Sequence, residues 1–157
     1  MAKRTSGLTP LWKKSQINKL FKKLGESAEW EILLMLQQAG ESFVNFSRQQ
    51  APKDSFYDHS KNLRNSIGYV VVRDGKIIGE NFEQRGGGAE GVRIAKQLCS
   101  DLARTHSRGY VLIGVAGMKY AVHVEAIEGK DVITRATGFT EDHIKKVGQS
   151  LFNKLGI

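Results

Sequence analysis

Apolar residues recur every three or four positions along one stretch of this chain. Ile32, Leu36, Ala39, Phe43 and Phe46 follow at intervals of 4, 3, 4 and 3. That period lines one helix face and predicts a long helix opening at Glu26 or Ser27 and reaching about residue 50. Pro52 disfavours helix at Ala51 and stops it there. A shorter helix precedes it, about residues 11–24, with Ile17, Leu20, Phe21 and Leu24 on one face and lysines on the other. Gly25 is the expected break between the two.

Beyond residues 53–62, which are polar and read as a loop, the pattern changes. Ile67 to Arg73 is β-branched and aromatic, Asp74-Gly75 is a two-residue hairpin turn, and Lys76 to Phe82 returns as a second strand. Gln84-Arg85-Gly86-Gly87-Gly88 reads as a hinge. A third helix, about 89–106, is expected to turn Val92, Ala95, Leu98, Cys99 and Leu102 inward. Tyr110 to Ala116 is a strand, Tyr120 to Ala126 an apolar stretch, and Val132 to Thr134 a short strand. Thr140 is the expected cap of a final helix, with Glu141 and Asp142 in its first turn and Ile144, Val147, Leu151 and Leu155 facing inward.

These elements predict an α+β fold. A small, mainly antiparallel sheet packs against a long N-terminal helix, an inserted helix and a C-terminal helix. The chain divides into a basic N-terminal arm with its short helix, residues 1–25, and one domain, residues 26–157.

Length and composition fit that reading: 157 residues, 40% hydrophobic and 25% charged, suit one core. The single cysteine, Cys99, rules out an internal disulfide and reads as a small core residue. No apolar run is long enough for a membrane span, and no signal-peptide core follows the basic start, so a cytosolic life is expected.

Charge changes the picture more. The net charge is +8. Residues 1–25 hold Lys3, Arg4, Lys13, Lys14, Lys19, Lys22 and Lys23 and no acid, so nearly all the excess sits in the arm. Such an arm suits nucleic acid or an acidic protein surface, and equally a solvated helix face. Lys13, Lys14, Lys19, Lys22 and Lys23 are its expected contacts; Trp12 and Phe21 beside them suit stacking on bases, although their helical spacing more commonly means core packing or partner contact.

The residues offer little catalytic chemistry. His123-Val124-Glu125 has the H-x-E form of a zinc deaminase, but that site needs a downstream Pro-Cys-x-x-Cys, which a chain with Cys99 alone lacks. His59, His106, His123 and His143 show no ligand spacing. Asp54 and Asp58 read as side-chain turns. Glu80, Glu83 and Glu90 surround the glycines, and a metal-dependent nuclease would need them to converge. The glycine triplet lacks the lysine–serine/threonine pair of a phosphate loop. No serine sits in a nucleophile elbow. No enzyme, metal or cofactor is expected.

Two short segments carry a resemblance. Ala51-Pro52, then Ser60 with Leu63-Arg64-Asn65-Ser66-Ile67 leading into the hairpin, and Tyr120-Ala121-Val122-His123-Val124-Glu125 later on, resemble the tail-completion proteins of long-tailed bacteriophages. Those head–tail joining, neck or minor tail proteins are ring subunits at the junction of head and tail. The matching positions are Pro52, Leu63, Arg64, Ser66, Ile67, Tyr120, Ala121, Val124 and Glu125, and the pattern spans about residues 26–155. Lys61 stands where the family has glycine, so a different turn is expected. Residues 83–109 form a larger insertion than in simple members. Arg135-Ala136-Thr137-Gly138-Phe139 replaces the usual proline-phenylalanine-leucine stretch.

The resemblance implies a non-enzymatic virion protein of a phage or prophage, assembled in the host cytoplasm. Its partners would be further copies of itself, the connector or adaptor, and the tail-tube or tail-terminator protein, with DNA passing through the ring. Such proteins often stay monomeric until they meet a partner. The hairpin tip and the 83–109 insertion are the expected contact surfaces. Arg64 and Glu125, opposite charges at the entrances to two β segments, are expected to pair, within or between subunits. The alternative, from another class, is a small nucleic-acid-binding protein using the lysine-rich arm.

Overall fold

The computed structural model describes residues 13–49, 61–117 and 133–155. In chain order these form α1 (Lys14–Arg48), α2 (Asn62–Asn65), β1 (Ile67–Arg73), β2 (Lys76–Asn81), α3 (Ala89–Thr105), β3 (Tyr110–Ala116) and α4 (Thr134–Leu155). The fold is α+β. The three strands run β2-β1-β3 and both pairings are antiparallel.

The central strand explains the layering. From Ile67 to Val72 every residue of β1 is buried, which requires cover on both sheet faces. Ile67, Tyr69 and Val71 join a core with Leu36, Phe43 and Val44 of α1, Leu63 and Ala136. Val70 and Val72 point the other way, onto Ala95, Cys99 and Ala103 of α3. The period-2 alternation of one strand thus feeds two cores. The β1–β2 register shifts between Val71 and Val72, leaving a bulge on β2. Asp74 and Gly75 take φ 50° and 78°, as a tight two-residue hairpin requires. Gly109 N–H donates to Asp74 Oδ1 at 2.8 Å, and Asp74 N–H donates to Gly109 O at 3.0 Å, tying the hairpin tip to the approach to β3.

Three expectations change. First, α1 is one helix of 35 residues, running unbroken through Gly25. Nothing lies within 4 Å of where a Gly25 side chain would sit, so the glycine costs only propensity and does not break the helix. The stripe Leu36, Ala39 and Phe43 is buried as expected, but the earlier one is not: Leu20 is 57%, Phe21 68% and Leu24 52% exposed.

Second, α3 packs by its small residues. Gly91, Ala95, Cys99 and Ala103 form its buried face, while Leu98 and Leu102 are exposed at its edge. Close approach is the reason. A Cβ on Gly91 would sit 2.0 Å from Asn62 O, and one on Gly117 would sit 2.6 Å from Ala95 Cα. The 83–109 insertion therefore contributes a core layer to the domain.

Third, α4 begins at Thr134, well before Thr140. Ala136 is buried in the core, and Phe139 stacks on Phe46 with centroids 5.4 Å apart. The buried Ala136 and the Phe46–Phe139 stack outweigh the cap at Thr140, whose Oγ1 is buried mid-helix without a hydrogen-bond partner. Thr134 is consequently helical. Tyr120 to Ala126 lies outside the described residues.

Phe46 meets Phe139, and Glu31, Leu34 and Met35 line a groove with Val147, Leu151 and Lys154, so α4 runs antiparallel to α1. The first turns of α1 extend past the end of α4. From Lys14 to Ser27 every residue is exposed except Ile17, which is half-buried.

Candidate functional site

The motif residues converge where α1 ends. Leu63, on α2, is 1% exposed and anchors that turn in the core. Ser66 is fully buried; its Oγ donates to Leu63 O at 2.7 Å, and its carbonyl accepts from Gly117 N–H at 3.2 Å. Ile67 starts β1 inside the core. Arg64 Nη1 donates to Arg48 O at 2.6 Å, satisfying one of the carbonyls left open at the end of α1. Arg48 in turn donates from Nη2 to Ile67 O at 2.7 Å. Two arginines thus join the helix end to the strand start.

Pro52, Tyr120, Ala121, Val124 and Glu125 lie outside the described residues, and so does the expected Arg64–Glu125 pair. His123, Asp54 and Asp58 lie outside them too. Lys61 takes φ 59°, the left-handed region that favours glycine.

Sequence reasoning missed the polar residues that complete this corner. Asn65, 2% exposed, holds the glycine joint. Its Nδ2 donates to Gly87 O at 2.5 Å, and its Oδ1 accepts Arg85 N–H at 3.1 Å. Asn62 Oδ1 accepts from Gly91 N–H at 3.2 Å in the first turn of α3. Two asparagines three apart, beside a glycine run otherwise without a partner, were the available signal. Arg48 carried none, because a basic residue in the last turn of a helix usually serves the helix dipole.

The electrostatics are lopsided. Arg48, Lys61, Arg64 and Arg85 line one open cleft of about 410 Å³ with Asn65 and Gly86. Glu83 Oε2 accepts from Arg85 Nη2 at 2.7 Å and lies 3.5 Å from Arg48 Nη1. The Arg48 side chain is only 8% exposed, and Nε and Nη1 are buried without a hydrogen-bond partner. Burial pulls the Arg48 guanidinium below its ordinary value, against the opposing charge of Glu83. The hydrogen bond from Arg85 holds the Glu83 carboxyl below its usual range.

Glu80 is paired with Lys96 at 2.7 Å, so Glu80 and Glu83 are committed to separate cations. Among the described residues, no three His, Cys, Asp or Glu side chains are grouped to hold a metal. No described helix is long and apolar enough to cross a membrane.

The arm is the second feature. Lys13, Lys14, Lys19, Lys22 and Lys23 are all exposed on or beside the projecting part of α1, and Lys22 reaches Glu26 at 3.9 Å. Trp30, at 60% exposure, extends the apolar surface toward the body. Compared with known proteins, the chain matches no family model, no curated protein and no solved structure.

Proposed function

We propose that this protein is a structural subunit of a phage or prophage virion, acting in head–tail joining or tail completion as part of a ring. The observation that carries the reading is the apolar stripe of the projecting half of α1. Leu20, Phe21 and Leu24 are each more than half exposed there. An apolar helix stripe left in water favours burial in a groove. A second copy of this chain supplies the groove if one contact repeats with a fixed rotation and closes. Among the described residues β2 and β3 are the outer strands of the sheet, where a neighbour's strand can add, and Ile77 and Ile78 on β2 are themselves exposed. The motif at the end of α1 supports the reading by fixing the helix direction relative to the sheet.

The test has two parts. Lysates of a phage or induced prophage lacking this gene are inspected by electron microscopy, and separated heads and tails are expected. Complementation with Phe21→Asp plus Leu24→Asp should fail to restore joining, while circular dichroism of the purified variant stays native. Joined particles in either experiment would overturn the proposal.

The exposed lysines favour a second reading, nucleic-acid binding by the arm. If about seven phosphates were neutralised, log affinity on duplex DNA would fall against log salt with a slope near −6. A flat salt dependence would dismiss it.

A further inference from the structure

We propose that the cleft between the end of α1, α2 and the glycine joint is a phosphate-binding site, formed by Arg48, Lys61 and Arg85 around the Gly86 backbone. This inference stands apart from the neck reading.

Four observations point the same way. Arg48 brings a guanidinium into a nearly buried position, with Nε and Nη1 making no hydrogen bond among the described residues and only Glu83, 3.5 Å from Nη1, as an ion-pair partner there. A buried donor without a partner is costly, and a buried charge more so. Among the described residues Glu83 is in ion-pair contact with this cluster and Glu41 adds its charge to Arg48 from farther off, too little to neutralise Arg48, Lys61 and Arg85 together. Lys61 holds a left-handed backbone that costs a non-glycine residue about 1–2 kcal/mol. That conformation carries Lys61 Nζ over Gly86, close enough that a Cβ on Gly86 would lie 2.5 Å from it. Strain kept at a charged cleft is a mark of a site. Finally, Asn65 clamps Arg85 N–H and Gly87 O, so the joint presents its cation from a fixed position.

The donors match phosphate. Arginine presents planar pairs of N–H groups suited to two oxygens of a tetrahedral anion, and lysine adds a point charge. Glu83 holds Arg85 closely at 2.7 Å but reaches Arg48 only at 3.5 Å, and its side chain is 52% exposed, so an incoming anion competes with it first for Arg48. Free phosphate and the phosphodiester of a nucleic acid share this chemistry.

The full chain is titrated with inorganic phosphate in a buffer of low ionic strength, followed by the amide and Arg Nε–H signals in NMR, with chloride at matched ionic strength as control. Saturable shifts at Arg85 to Gly88 and at Arg48 Nε–H are expected with phosphate and not with chloride. Lys61→Gln plus Arg85→Gln changes two exposed side chains, and should weaken binding at least tenfold with an unchanged fold. Lys13→Gln plus Lys14→Gln should leave it unaltered. A short single-stranded oligonucleotide identifies the source. If the cleft variant weakens both, the site takes backbone phosphates; if it weakens inorganic phosphate alone, the ligand is the free anion. Shifts that chloride reproduces, or equal affinity in wild type and cleft variant, would overturn the proposal.

Discussion

Replacing Asn65 by alanine should loosen the glycine joint without touching the sheet. The side chain is 2% exposed and its amide meets the joint with both ends: Nδ2 to Gly87 O at 2.5 Å and Oδ1 from Arg85 N–H at 3.1 Å. A longer contact, Nδ2 to Arg85 O at 3.4 Å, adds little. Two good hydrogen bonds contribute about 0.5–1.5 kcal/mol each. The backbone groups they leave belong to exposed residues, so water recovers part of the loss. The truncated atoms add a small cavity beside Gly88. The net cost is about 2 kcal/mol, which lowers the melting temperature of a domain this size by roughly 4–8 °C. Urea unfolding measures the free energy, and hydrogen exchange at Arg85 N–H reads the local effect. A loss below about 0.5 kcal/mol with unchanged exchange would refute the reasoning, because the clamp would then be a contact without consequence.

Two helix glycines should respond with opposite signs to alanine. Gly25→Ala meets open space and should stabilise by about 0.5–1 kcal/mol, whereas Gly91→Ala drives a Cβ to 2.0 Å from Asn62 O and should destabilise by about 1–3 kcal/mol; thermal melts decide both. Cys99 sets an alkaline limit. Burial first, and then Glu80, push its thiol up to about 12 from 9.0. Because the folded value is the raised one, its contribution is full below 9.0 and is lost as pH rises through about 12. Urea midpoints of wild type should therefore fall from pH 9 upward, by at most about 1.4 kcal/mol per pH unit from this group, and Cys99→Ala should flatten the first part of that fall. Tyr69, whose hydroxyl is also pushed up by burial and by its hydrogen bond to Glu41, joins the loss only above 10. A wild-type midpoint that stays constant across that range would contradict the burial argument.

Much of the fold was legible because periodicity and turn chemistry are local. The stripe from Ile32 to Phe46, the Asp74-Gly75 turn and strands β1, β2 and β3 all follow from spacing and residue type. The errors share a cause in packing that spacing does not encode. Gly25 reads as a break, yet a solvent-exposed glycine only weakens a helix. Leu98 and Leu102 read as the buried face of α3, yet the sheet approaches so closely that only Gly91, Ala95, Cys99 and Ala103 fit. Thr140 reads as a cap, yet Ala136 is buried in the core and Phe139, half-exposed, stacks on Phe46, and these contacts extend the helix backward. The motif named Leu63, Arg64, Ser66 and Ile67, and these do meet at one corner. The cleft was invisible, because Arg48, Lys61 and Arg85 are far apart in sequence and come together only through α2 and the joint.

The unbroken passage of α1 through Gly25 makes the helix a lever. A 35-residue helix is about 52 Å long. The stretch before Ala28 reaches some 20 Å past the body, at 1.5 Å per residue. Its far end points where the core side chains Leu36, Ala39 and Phe43 aim it. A tilt of about 10° at the core would sweep the tip by about 3.5 Å, close to the rise of two residues. Whatever grips the tip therefore also sets the angle of the sheet and of the basic cleft at the opposite end of the helix. In an assembly of many copies, small changes in core packing would register as changes in pitch and diameter, far from the residue altered.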